Sequence, residues 1–254
     1  MVKVIFKETE DSDDIKKDMA VVDMHCHTNI SDGRDTADLM IRQVQKLGIG
    51  ISITDHNRIA ASLEACKRTF SIPGIEITSS DAIDFLVYFY KTKDLEHFYN
   101  KYIKDKHLSS RIFNLWKLKW NTEELLDHVR KYNCVITLPH PIAMRPKNSY
   151  IFMHKNPKLM KHIHAIEVIN SLMHEEHNQM VTEWAKKLNK SATGASDSHV
   201  YNYLGKAVTA SYASDVSEFL DNIIKEKNIV VGRSLDRFSK LHIKLGILKR
   251  NLQW

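Results

Sequence analysis

Nearly every β-branched run in this sequence ends on a histidine, an aspartate or a glutamate, and that placement narrows the folds open to the chain. The predicted strands are Val21–His27, Ile49–Asp55, Gly74–Thr78, Phe85–Tyr90, Cys134–Leu138, Ile166–Ile169, Ala192–Ser196 and Ala207–Ser211. The first carries His25 and His27, with Asp32 in the Ser-Asp-Gly turn that follows. Later runs deliver Asp55 and His56, Glu76, His140 after Leu138-Pro139, and Asp197 with His199. The runs alternate with helical patterns, the order expected of parallel strands joined by crossover helices. Several show no hydrophobic-polar alternation, which suits strands buried on both faces. In a parallel barrel the C-terminal strand ends share one face, so these scattered residues would converge there.

The helices between the runs are also readable. Ala37, Met40, Ile41, Val44 and Leu47 recur at helical spacing, and Gly48 stands where a C-cap glycine belongs. Asn121 followed by Glu124 reads as a capping box ahead of Leu125, Leu126 and Val129. Trp184 and Leu188 mark another helix before the Ala192 run. With 254 residues and 43% hydrophobic content, one core and one domain over residues 1–254 are expected. Residues 1–20 hold no apolar h-region, and no stretch approaches the roughly 18 apolar residues needed to cross a bilayer. Cys26, Cys66 and Cys134 are too few and too scattered for a disulfide framework. A soluble, cytoplasmic protein is therefore expected.

His25 and His27 lie two apart, so on a strand both point to one side and can grip one ion, while Cys26 turns away. One such pair is weak evidence. Five histidines and several carboxylates repeating the same placement are much harder to assign to chance.

His25-Cys-His27, Ser31-Asp32-Gly33, Thr54-Asp55-His56-Asn57, Gly74-Ile75-Glu76, Pro139-His140-Pro141 and Ser196-Asp197-Ser198-His199 resemble, in order, the motifs of the PHP (polymerase and histidinol phosphatase) family. The resemblance spans about Val21 to Ser211. It implies an α/β fold, a distorted seven-stranded (β/α)7 TIM-like barrel, here with a helical cap insertion at 91–120. It also implies two or three divalent ions, Zn, Mn or Fe. Carried over by position, His25, His27, Glu76 and Asp197 would bind the first ion, and Glu76 would bridge to a second that His140 also holds. Asp32, His56 and His199 would bind the third, and Glu76, Asp197 and His199 would carry the greatest catalytic weight. Many members have a ligand histidine where this chain has Asp84. Asp84 could ligate through oxygen and favour a harder metal such as Mn, or the middle position could be weak or empty.

The net charge of +6 is unevenly placed. Residues 91–120 and 233–254 each carry +5, which leaves a mildly acidic body. In 91–120, Phe98, Tyr99, Tyr102, Phe113, Trp116 and Trp120 interleave with lysines and Arg111. Such a mixture can stack bases and hold phosphates; the blander alternative is that the aromatics pack the segment onto the body. Arg58, Arg145 and Lys147 follow ligand motifs and could reach a substrate phosphate, as could Arg111, and His174 could line the pocket. The tail's apolar stripe, Leu235 to Leu252, reads as a basic amphipathic helix that either docks on the body or makes a peripheral contact with an anionic surface.

Close divalent ions would lower the pKa of a bridging water and polarise phosphoryl oxygens, so that hydroxide attacks phosphorus in line. Asp55 could support a ligand from behind. The expected function is hydrolysis of a phosphomonoester, a nucleotide or a histidinol-phosphate-like small molecule. The alternative is 3′–5′ exonuclease or oligoribonuclease-type phosphodiesterase action on short oligonucleotides. A non-catalytic metal-binding regulatory module ranks third.

Overall fold

The computed structural model describes residues 2–9, 13–108, 116–143 and 146–243. The chain runs through β1 (Lys3–Phe6), β2 (Ala20–Cys26), β3 (Gly50–Ile53), β4 (Gly74–Thr78), β5 (Asp84–Phe89), β6 (Cys134–Leu138), β7 (Ala165–Asn170), β8 (Ser191–Ala195), β9 (Ala207–Ser211) and β10 (Ile229–Gly232). They form two five-stranded sheets, in the orders β1-β10-β9-β2-β3 and β4-β5-β6-β7-β8. The α/β composition expected from the sequence is present, but the seven-stranded (β/α)7 barrel is not: both sheets are mixed and no barrel closes.

Two local causes explain the difference. The connection from Thr78 to Asp84 is five residues long, far below the dozen or so that a crossover to a parallel neighbour needs. It closes as a hairpin, with the Ser79 amide donating to the Ile83 carbonyl at 2.9 Å, so β5 runs antiparallel to both β4 and β6. On the other side β9 runs antiparallel to β2 and to β10. The short apolar runs Lys3–Phe6 and Ile229–Gly232, not among the sequence-predicted strands, pair in parallel and extend the first sheet.

The sheets meet through close contacts. Isolated bridges join Cys26 to Ser198 and His56 to Glu76. A Cβ on Gly194 of β8 would lie 2.4 Å from a methyl of Val230 in β10, so only glycine permits that approach. Buried Asp23 of β2 accepts from the Ser196 amide (3.0 Å), the Ser196 hydroxyl (2.6 Å) and the Gly205 amide (2.8 Å). The β2 register shifts between Asp23 and Cys26. There the Met24 carbonyl accepts from the hydroxyl of fully buried Tyr88 in β5, at 2.7 Å.

The helices cover the sheets as their patterns require. Ala37–Leu47 is capped by Thr36, whose side chain accepts from the Leu39 amide, and ends on left-handed Gly48; Met40, Ile41 and Val44 are buried. Thr122–Val129 starts with the Asn121–Glu124 capping box. Glu175–Lys187 buries Val181, Trp184 and Ala185. In the 91–120 segment, Thr92–Phe98 continues into a π-helical turn, Tyr99–Ile103. Phe98 and Tyr102 join the main apolar core, and the Trp120 indole donates to the Tyr102 carbonyl at 2.8 Å. Most described aromatics of this segment therefore pack inward. Residues 237–243 of the tail are helical, and 244–254 lie outside the described residues. Among the described residues no helix is long and apolar enough to cross a membrane.

Tyr88→Phe would strip the Met24 carbonyl of its buried donor while keeping the ring. The expected cost is about 1–3 kcal/mol of stability, read as a lower midpoint in denaturant unfolding; an unchanged midpoint would count against the cross-sheet role.

Candidate metal centre

At one end of the fold β2, β3, β4 and β8 release their last residues together. His25 is fully buried in β2, and its Nδ1 faces Glu167 Oε1 at 3.0 Å. That bond fixes the tautomer and aims Nε2 inward. Nε2 lies 3.0 Å from His27 Nε2, 3.4 Å from Glu76 Oε2 and 3.4 Å from Asp197 Oδ1. His27 Nε2 lies 3.3 Å from the same Glu76 oxygen and 3.4 Å from the same Asp197 oxygen. A tetrahedral ion with ligands at about 2.0–2.1 Å needs ligand atoms about 3.3–3.4 Å apart. His25, His27 and Asp197 are spaced to share one ion, and Glu76 Oε2 stands at the same distance from both imidazoles.

A second group adjoins the first. Asp32 Oδ2 lies 3.4 Å from His199 Nε2 and 3.7 Å from His56 Nε2, and Asp32 Oδ1 lies 3.5 Å from His27 Nδ1. The Nδ1 of His199 faces the Asp197 carbonyl at 2.9 Å, which leaves Nε2 for an ion. Glu76 reaches the remaining corner with Oε1, 3.2 Å from His140 Nε2. Clusters able to hold an ion are His25–Glu76–His140, His25–His27–Asp197, His27–Asp32–His56 and His56–Glu76–Asp84. Asp84 lies on β5, whose reversed direction brings its first residue, not its last, to this end. Its Oδ1 accepts from the Thr78 hydroxyl at 2.6 Å, and its Oδ2 lies 2.9 Å from the Lys147 ammonium.

The residues fit divalent cations. Glu76 Oε2, Asp197 Oδ1, His56 Nδ1 and His140 Nδ1 are buried with no hydrogen-bond partner, a cost that proteins rarely bear without a compensating ligand. Burial by itself would raise the carboxyls of Asp32, Glu76 and Asp197, but the surrounding imidazoles hold all three well below the usual range. Burial pushes His56 down to about 4. It pushes His199 the same way, but Asp32 more than reverses this, to about 9. The carboxylates stay ionised and borrow protons on imidazole that a metal would displace.

Backbone geometry at the centre is unusual. Asn57, Trp116, His140 and Asp197 all have φ between 28° and 55°, sparsely populated for residues with a Cβ. Gly33 next to Asp32 has no room for a Cβ, which would fall 2.2 Å from the His27 carbonyl oxygen.

Two neighbours, Glu167 and Asn170, have no counterpart among the residues expected from the sequence. Glu167 orients His25 with one oxygen. With the other it accepts from the His140 amide (2.8 Å) and the Asn170 side chain (2.8 Å). Asn170 also donates to Asp197 Oδ2 at 3.1 Å, leaving Oδ1 toward the cluster. A charged residue inside the apolar run Ile166-Glu-Val-Ile was the available signal for Glu167. Asp55 accepts from the Thr28 amide (2.7 Å), the Thr28 hydroxyl (2.6 Å) and the Ser31 hydroxyl (2.6 Å), and so braces the turn bearing Asp32. The Trp116 ring stacks on His56, with centroids 5.9 Å apart, while the Asn57 side chain donates to the Trp116 carbonyl.

The substrate-contact expectations divide. Arg58 Nη1 donates to the Asn57 carbonyl and lies 3.0 Å from His107 Nε2, beside the centre. Lys147 is within it. His174 is exposed and lines a separate cleft with Glu175, Arg233, Arg237 and Lys240, which contains none of the ligand residues. Arg111 and Arg145 lie outside the described residues.

The family described as PHP-associated matches residues 175–228, the stretch that contains Asp197 and His199. An uncharacterized protein of Methanocaldococcus jannaschii is 26% identical over 190 residues, 73% of this chain and 68% of its own. A two-domain protein of Bacteroides vulgatus containing a predicted PHP-like metal-dependent phosphoesterase superposes with a TM-score of 0.60 at 16% identity, over 91% of this chain and 69% of that one. The lesion-specific endonuclease EndoQ of Pyrococcus furiosus superposes at 0.63 and 14% identity, over 84% of this chain and 57% of its own. At these identities the structural likeness is one of fold. The chain is thus similar to the PHP-associated family over residues 175–228 and to a PHP-like protein in fold.

Glu167→Gln keeps the shape but weakens the acceptor that fixes His25. The expected result is a 10- to 100-fold loss of metal affinity in competition with a chelator; unaltered affinity would remove Glu167 from the centre. In chelated protein, His199 binds its proton more tightly folded than unfolded, so that contribution is complete below pH about 6.5 and lost as pH rises through about 9. Thermal melts of chelated protein across this window should show a falling midpoint, and a flat profile would contradict the His199–Asp32 pairing.

Proposed function

We propose that the protein is a divalent-metal-dependent hydrolase of phosphoester bonds, with a phosphomonoester such as a nucleotide or a histidinol-phosphate-like small molecule as its substrate. One observation carries this reading: His25 Nε2, His27 Nε2, Glu76 Oε2 and Asp197 Oδ1 stand 3.0–3.4 Å apart along each of the five separations between them given above. The Asp32–His56–His199 group beside it supports a second ion. The mixed imidazole and carboxylate donors suit Zn, Mn or Fe.

Bound ions would supply a water acidic enough to ionise near neutral pH and Lewis-acid polarisation of a phosphoryl oxygen. The chain's own residues position that chemistry. Glu76 spans two corners with its two oxygens, Asp55 braces the turn that presents Asp32, and Asn170 holds Asp197 by the oxygen facing away from the cluster. Arg58, beside the centre, is the described basic side chain best placed to meet a substrate phosphate from the rim. The three unpaired thiols suit a reducing, cytoplasmic setting.

A second reading has its own support. Trp116 lies flat on His56, next to Arg58 and His107. An aromatic face beside cationic groups can stack a base while the phosphate enters the centre. EndoQ, similar in fold, has been captured with a 27-mer duplex bearing an abasic lesion at its active site. Phosphodiester cleavage of short oligonucleotides is therefore the alternative substrate class.

The test is hydrolysis of phosphomonoesters, nucleotides and short oligonucleotides by protein loaded separately with Mn, Zn or Fe, against a chelated control. Monoester turnover that requires metal is expected. Oligonucleotide cleavage alone would select the second reading, and no release despite bound ions would favour a non-catalytic metal-binding module. Asp197→Ala should lower kcat by at least about 10²-fold with an unchanged circular dichroism spectrum, and full activity in that variant would sink the site assignment.

A further inference from the structure

Besides the imidazoles, an ammonium group of the chain itself enters the centre. Lys147 leaves the loop after His140 just ahead of Asn148, whose side chain caps the helix Ser149–Lys155 and donates to the Ala143 carbonyl. The Lys147 ammonium lies 2.9 Å from Asp84 Oδ2, where the carboxylate is 1% exposed.

That contact sits where an ion would have to bind. Asp84, Glu76 and His56 offer ligand atoms within 4.8 Å of one another, and His140 touches the same Glu76. Yet both Asp84 oxygens are engaged: Oδ1 accepts from the Thr78 hydroxyl, and Oδ2 is ion-paired with the Lys147 ammonium at 2.9 Å. A divalent ion about 2.0–2.2 Å from that oxygen would lie against a unit positive charge in a site largely closed to water, where such repulsion is poorly screened. At the first corner the groups facing Glu76 Oε2 and Asp197 Oδ1 are the imidazole nitrogens of His25 and His27, metal donors themselves and not a fixed ammonium. The sequence departs from the common PHP pattern at this same position, with aspartate in place of histidine. A neutral imidazole there would hold a metal but could not neutralise a lysine. An aspartate can.

We propose that the Lys147 ammonium stands in for a divalent ion at the Asp84 corner, so that this centre takes two metal ions and one fixed charge of its own. The inference rests on reading the cluster as a metal centre, but not on the identity of the substrate. Lys147 thus keeps positive charge beside Glu76 without depending on metal supply at that corner, and its length sets where the charge sits.

The full chain is saturated with Mn(II), freed of excess by gel filtration, and its bound metal counted per chain by elemental mass spectrometry. Two ions are expected in the unaltered protein, three in Lys147→Gln, and two in both Lys147→Arg and the double variant Lys147→Gln with Asp84→Asn. Three ions in the unaltered protein would overturn the proposal without reference to any variant, as would two in a folded Lys147→Gln. Fewer than two in the unaltered protein would overturn the metal-centre reading beneath it. Two bound ions with no turnover of any phosphoester would leave this inference standing and remove the proposed activity.

Discussion

The interaction on which the rest depends is the confinement of ionised carboxylates, Asp32, Glu76 and Asp197, beside imidazoles and away from water. Isolated buried carboxylates would take up protons. Here His25, His56, His140 and His199 hold them charged. Much of the surrounding construction serves this confinement. The sheets press together at Gly194 and Val230, Asp23 draws β2 to the end of β8, and Glu167, Asn170 and Asp55 fix individual donor atoms. A hydrophobic core alone would not assemble such a group, since nothing in apolar packing distinguishes one carboxylate oxygen from the other.

The residues of the centre were legible because most fall at or just beyond a strand end, with Glu76 inside its strand, and the structure brings His25, His27, Asp32, His56, Glu76, Asp84, His140, Asp197 and His199 together. All eight strand positions also appear. The pairing of those strands was less readable. A run of β-branched residues states that a strand forms but not its direction, and the five-residue link before Asp84 was the clue that β5 reverses. That reversal also explains why Asp84 opens its strand while most other candidate ligands lie late in theirs or beyond. The four-residue β1 and β10 carry too little pattern to stand out, and their pairing is a tertiary fact.

Other losses were of partner and not of position. Lys147 could be placed near a ligand motif, but its pairing with Asp84 depends on a loop path that spacing does not encode. Glu167 was visible as a charge in an apolar run, but its job of aiming His25 requires β7 to lie beside β2's last residues. The aromatic and basic 91–120 segment divided its roles: Phe98, Tyr102 and Trp120 consolidate packing, while Trp116 alone among the described aromatics of the segment stacks on a ligand imidazole.

His140 and Asp197 are held at φ of 28° and 53°, conformations that cost on the order of 1–3 kcal/mol each. Marginal stabilities of about 5–15 kcal/mol leave little room for that. Ions that bind the folded chain alone return about 2.7 kcal/mol at a hundredfold excess over Kd. Folded stability is then expected to rise with the concentration of metal around the chain, the backbone strain at His140 and Asp197 being offset by the ions that the same residues would help to hold.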